Sequence, residues 1–176
     1  MRKIFFSFVA LLFSFSSLSC GYSLRSAMPA NFRTIHVQPF KNNVKYTVED
    51  GRNLYLPLLE VKVRDAVVSR YLFDGNLRIA ESDDADLILR GELTGYEKGG
   101  LRFSDNDDVQ EYRIHIFVTI ELYDTQKKEV VWKEEGFAGE ATYFVSGPKA
   151  KSETSAVDDA VTDLARRVVE RTIENW

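Results

Sequence analysis

The residue with the most definite chemistry is the single cysteine of the 176-residue chain, Cys20. Met1-Arg2-Lys3 supplies a positive start, and Ile4 to Phe15 is a run of Phe, Val, Leu and Ala diluted by serines. That is the composition of a secretory h-region, too short and too serine-rich for a stable membrane span. Small Ser19 precedes Cys20, where a signal peptidase needs little side-chain volume, and a cysteine at that boundary is what bacterial diacylglyceryl transfer requires. The expected product is a lipoprotein whose signal is residues 1–19 and whose lipid-bearing first residue is Cys20. The boundary departs from the strict lipobox, because Ser17 stands third before the cysteine and Leu18 lies one place later. A lone thiol in an oxidising compartment is a liability unless modification consumes it. Two or three acyl chains hold a protein on a membrane where one does not. Gly21 follows the cysteine rather than a retaining aspartate, which points to the outer membrane.

Other reactive groups do not assemble into a catalytic set. A serine or cysteine nucleophile needs a base beside it, and the chain has two histidines, His36 and His115, both on polar faces of expected strands. The sequence contains no nucleophile elbow, phosphate-cradling glycine loop, zinc-protease signature or Cys-x-x-Cys pair. Asp105-Asn106-Asp107-Asp108 suggests calcium, but an EF-hand loop needs glycine and glutamate where Gln110 and Ile116 stand, so a solvated hairpin tip is expected. Glu134 and Glu135 alternate across a strand and cannot serve one substrate together. The reading is a binding protein, not an enzyme, with no cofactor and no metal. Of 23 Lys+Arg and 27 Asp+Glu, the signal removes only Arg2 and Lys3, so the mature balance is 21 − 27 = −6. Nucleic acid is therefore not an expected partner, and an anionic ligand must meet a local basic patch.

The elements that must position such a patch follow from periodicity. Residues 20–32 read as a lipidated tether and 33–176 as one domain with its own core. Thr34 to Phe40 alternates until Pro39 stops it, the mark of a strand near an edge. Lys41 to Arg52 is polar, with a turn at Asp50-Gly51. Leu56, Leu59, Val63, Ala66, Val67 and Tyr71 recur at helical spacing from Pro57 until Asp74-Gly75-Asn76. A short strand at 77–80 precedes a clearer one at 85–96, and 112–123 has the strongest alternation of the chain. A further strand at 129–143 carries two glycines that suggest a bulge or bend. Ser152 to Trp176 is an amphipathic helix capped by Ser152 or Thr154. This order predicts an α+β two-layer sandwich, two helices on one face of a mixed, mainly antiparallel four-stranded sheet.

In that arrangement a hairpin tip holds Lys98, Gly99, Gly100 and Arg102, and strand order brings the loop 145–151 to the same end. Lys149 and Lys151 would join Lys98 and Arg102 beside a helix N-terminus, where free N–H groups and the helix dipole attract anions. Ordinary solvated loop cations are the alternative, and the acidic residues of the same hairpin weigh against a site.

Several motifs in sequence order resemble the LptE family of lipopolysaccharide-assembly lipoproteins. They are Cys20-Gly21-Tyr22-Ser23-Leu24-Arg25 with Pro29, Ile35-His36-Val37-Gln38-Pro39-Phe40-Lys41-Asn42, Ala85-Asp86-Leu87-Ile88-Leu89-Arg90-Gly91 and Glu111-Tyr112-Arg113. Departures are Ser26, where the family often has glycine, and the irregular lipobox. The resemblance implies a non-enzymatic plug inside the outer-membrane β-barrel LptD, assisting barrel assembly and lipopolysaccharide delivery. It implies that basic residues near the hairpin and before the last helix meet lipopolysaccharide phosphates; Arg102 and Lys149 or Lys151 match by rough position. A lipoprotein that regulates a cell-wall enzyme or another envelope machine is the alternative from a different class.

Overall fold

The computed structural model describes residues 31–45, 56–82 and 84–174. The signal, Cys20, most of the tether and the Asp50-Gly51 turn lie outside the described residues. Alternation builds the strands. In β5, Val109–Asp124, the even positions Ile114, Ile116, Val118, Ile120 and Leu122 are fully buried while their odd neighbours are half-exposed. β5 lies between β4, Leu87–Phe103, and β6, Glu129–Phe144, and pairs antiparallel with both.

The sheet differs from expectation on the far side of β4. It has six strands rather than four, and it is mixed rather than mainly antiparallel. β1, Thr34–Val37, runs parallel to β4 and also parallel to β3, Arg78–Ile79. β2, Lys41–Asn42, continues along the same edge of β4, with Lys41 opposite Glu92. Strands of two residues carry no period to read, and β2 falls where the polar composition suggests only a turn. The connection from β1 to β3 contains helix α1, Leu59–Asp74, the crossover that parallel neighbours require.

Both helices pack on the sheet and on each other. α1 buries Leu59, Val63, Val67 and Tyr71 and stops at Gly75, whose φ of 76° suits a left-handed cap and whose N–H reaches the Tyr71 carbonyl at 3.0 Å. Pro57 lies just ahead of it, before the left-handed Leu58. α2, Glu153–Glu174, has the wider apolar stripe, and its Ser152 hydroxyl accepts the Ser155 N–H at 3.2 Å as N-cap. The buried Tyr71 hydroxyl donates to Thr172 Oγ1 at 2.7 Å and ties the helices together. Burial pushes that phenol's pKa far up.

Two glycines explain the close packing. A Cβ on Gly91 would lie 2.3 Å from the Phe40 ring, so only glycine lets that ring lie on β4. A Cβ on Gly139 would lie 2.6 Å from the Leu164 backbone, so α2 rests directly on β6 there. The bulge expected in β6 falls at Gly136, with φ 66°, beside the register shift between Val118 and Ile120 of β5. Asp86 joins β1 to the start of β4: its Oδ2 accepts the N–H groups of Arg33 at 2.8 Å and Thr34 at 3.0 Å, and the Thr34 hydroxyl at 2.9 Å. The Arg33 N–H, with the Thr34 and Gln126 bonds, holds its carboxyl below the ordinary value against a smaller opposing effect of burial.

Candidate functional site: the β4–β5 hairpin end

Residues Ser104 to Asp108 form the hairpin turn, so Lys98, Gly99, Gly100 and Arg102 lie in β4 below the tip and not in it. The turn is closed by the Ser104 N–H on the Asp108 carbonyl at 2.8 Å, with Asp107 left-handed at φ 64°. Asp105, Asp107 and Asp108 crowd that tip, and among the described residues no group of three metal-capable side chains converges.

A bulge decides where Lys98 points. From Leu87 to Leu93 the odd residues of β4 face the helices, but the register shifts between Leu93 and Gly95. Beyond it the even residues face inward, starting with fully buried Tyr96. Lys98, opposite Ile114, therefore lies on the helix side. Its Nζ donates to Glu153 Oε2 at 2.6 Å in the first turn of α2 and stands 4.8 Å from the centre of the Tyr112 ring. Tyr112 stacks on Tyr143 at 5.6 Å. The hydroxyls of Tyr96 and Tyr143 also donate to Glu153, at 3.2 and 3.4 Å.

Charge and burial compete within this cluster. Burial pushes the Glu153 carboxyl up, but the Lys98 ammonium and the two phenols outweigh it, and the net pKa is below the ordinary value. Burial likewise works to lower Lys98, Glu153 overrides it, and the ammonium is held above its usual range. Tyr96 is pushed well up, first by burial and then by the Glu153 charge. The N-terminus of α2 is thus capped by the chain's own Ser152 hydroxyl, and the Glu153 carboxylate of its first turn is taken by Lys98 and the two phenols.

A second register shift, between Gly100 and Arg102, turns Arg102 to the opposite face, away from Lys98. Its guanidinium lies over the Phe144 ring at 5.7 Å and pairs with Glu111 at 3.5 Å, with the side chain 63% exposed. Lys151 pairs with Asp159 at 2.8 Å. Lys149 is exposed, and among the described residues no carboxylate is within ion-pair distance of it. The expected cations thus share one end of the molecule but not one face, and three of the four carry an internal acid. Reading the sequence did not identify those acids. Glu153 behind the Ser152 cap was the visible signal, since acids favour a first helical turn. Also missed were Leu101, Phe103 and Val145, large apolar side chains exposed at this same end. His36 instead bonds the Ala80 carbonyl through Nδ1 at 2.9 Å, and His115 meets Glu140 at 3.2 Å across β5 and β6.

This sheet and its two covering helices match the family described as LptE, lipopolysaccharide-assembly, over residues 32–172. The chain belongs to the LptE family. No curated protein matches the chain. Among solved structures, a point variant of PelC from Paraburkholderia phytofirmans, solved as a dodecamer, is similar. It has 17% identity and a TM-score of 0.50, covering 85% of this chain and 95% of that one. The protein XCC0632 from Xanthomonas campestris is similar at 18% identity and a TM-score of 0.50, covering 84% of this chain and 87% of the other. A hypothetical protein from Chlamydia trachomatis has 12% identity and a TM-score of 0.50, covering 80% of this chain and 95% of its own. At these identities the likeness establishes a shared fold, while family membership rests on the LptE match.

Proposed function

We propose that this LptE-family chain is an outer-membrane lipoprotein, anchored through Cys20, that plugs an LptD-type β-barrel and assists its assembly. It takes part in binding lipopolysaccharide and delivering it to the outer leaflet, and performs no catalysis. The observation that carries the reading is the LptE match, which runs from before β1 into α2. The hairpin end supports the lipid role with chemistry of two kinds. Arg102 and Lys149 offer exposed positive charge for phosphates, and Leu101, Phe103 and Val145 offer apolar surface for acyl chains. Lys98 and Lys151 would have to leave Glu153 and Asp159 to contribute.

Two measurements test it. A detergent pull-down of the full chain from membranes should bring down a large β-barrel identified by mass, and a soluble periplasmic partner instead would defeat the plug role. Arg102→Glu with Lys149→Glu should weaken lipopolysaccharide binding about tenfold or more, as two lost charge contacts warrant, while barrel association stays unchanged and melting falls modestly, because the new carboxylate faces buried Glu111. Unaltered binding in that double variant would sink the lipid assignment.

A further inference from the structure

The two helices run side by side in the same direction, tied near their starts by Lys62 with Asp158 and near their ends by Tyr71 with Thr172. Away from the sheet they leave a groove of about 520 Å³ between them. α1 contributes Ala66, Ser69, Arg70 and Phe73, which recur at i, i+3, i+4 and i+7 and so share one face of the helix. Ala66 and Ser69, with Thr162 and Ala165 of α2, are too short to fill the space. At one end Phe73 stands 80% exposed, and the Arg70 guanidinium lies over its ring at 5.3 Å.

The other charges of the groove are spent within the chain. Asp159 takes Lys151 at 2.8 Å, Asp163 accepts the Glu140 N–H at 3.1 Å, and Arg166 bridges Asp163 at 2.7 Å and Glu170 at 2.6 Å. Arg70 differs: its Nε is buried without an acceptor, and among the described residues no carboxylate is within ion-pair distance of its guanidinium. A buried donor left without an acceptor costs free energy, and a guanidinium stacked on a ring holds its fork fixed for a planar anion. The unspent charge is a single positive one. Asp159 and Asp163 line the same groove, so a phosphate with more than one negative charge is repelled where a carboxylate is balanced. The bare Phe73 ring beside the fork needs apolar cover next to that carboxylate, which an Asp or Glu in a protein segment supplies and a sugar-phosphate headgroup does not.

We propose that the groove between α1 and α2 docks a partner-protein segment whose Asp or Glu side chain is held end-on by the two Nη groups of Arg70, with an apolar neighbour over Phe73. In the plug reading, on which this choice of partner rests, the segment belongs to the barrel. The test uses the full lipidated chain in its native membranes. Arg70→Met should lower the recovered barrel about tenfold, because a charge-assisted pair is lost. Its melting should not fall, since the substitution removes an unpartnered buried donor. Lys41→Met, at an exposed cation of β2, should leave recovery as in wild type. A photo-crosslinker at Phe73 should join the chain to a barrel segment carrying Asp or Glu, and replacing that acid by its amide should lower recovery as Arg70→Met does. Full recovery in Arg70→Met, an equal loss in Lys41→Met, or a Phe73 cross-link to lipopolysaccharide, to a second copy of the chain or to a barrel segment without an acid overturns the inference and leaves the plug reading standing. If wild type itself recovers no barrel, both fall.

Discussion

At the scale of single residues, ionisable groups in this chain act first as fasteners. Asp86 and Glu153 are both held below their ordinary pKa values, so each contributes stability that is complete above the unfolded carboxyl range and is lost as pH falls through the folded pKa. Melting temperature should therefore hold from neutrality to about pH 4 and fall below it, and Asp86→Asn should flatten that acid limb. An unchanged acid limb in Asp86→Asn would show that the β1–β4 fastening does not depend on charge. Lys98 has the opposite sign: its pKa is raised, so its contribution is complete below the unfolded value and is lost as pH rises through the folded one. A second decline is expected above roughly pH 10.4, to which the raised phenols of Tyr71 and Tyr96 also contribute, and it should be shallower in Lys98→Met. That Lys98 is basic could be read from the sequence; that it serves Glu153 first could not, because the partners are 55 positions apart.

At the scale of elements, packing is governed by how closely backbones approach. Gly139 lets α2 sit directly on β6, and the atoms a methyl would meet include the Leu164 main chain, which cannot rotate away as a side chain could. Gly139→Ala should cost about 1–3 kcal/mol by overpacking, read as a lower urea midpoint with unchanged slope. Gly91→Ala meets only the Phe40 ring, a side chain that can swing aside, so a smaller loss is expected, together with a more exposed Phe40. The apolar stripe of α2, the alternation of β5 and the caps at Ser152 and Gly75 were all legible, because each is a local pattern. The bulge after Leu93 was not. Ala85 to Tyr96 reads as one unbroken alternation until the register with β5 shows where it slips.

For the whole molecule, the proposed function asks an acidic chain to hold an anionic glycolipid, so attraction must come from one end against the overall field. Raising salt from about 0.05 to 0.5 M shortens the screening length several-fold and should weaken lipopolysaccharide binding of the wild type. The Arg102→Glu, Lys149→Glu variant should show little of that dependence. Equal salt sensitivity in both would place the charge contacts elsewhere. The sequence by itself determined what depends on neighbours along the chain: the long strands and the two helices. Only the tertiary structure decided what depends on pairing between distant segments. It made the sheet six-stranded and mixed through two-residue strands too short to carry a period, and it put Lys98 and Arg102 on opposite faces through register shifts. Periodicity is set by a residue's neighbours in the chain, whereas register and face are set by its neighbours in space, which form only when the sheet assembles.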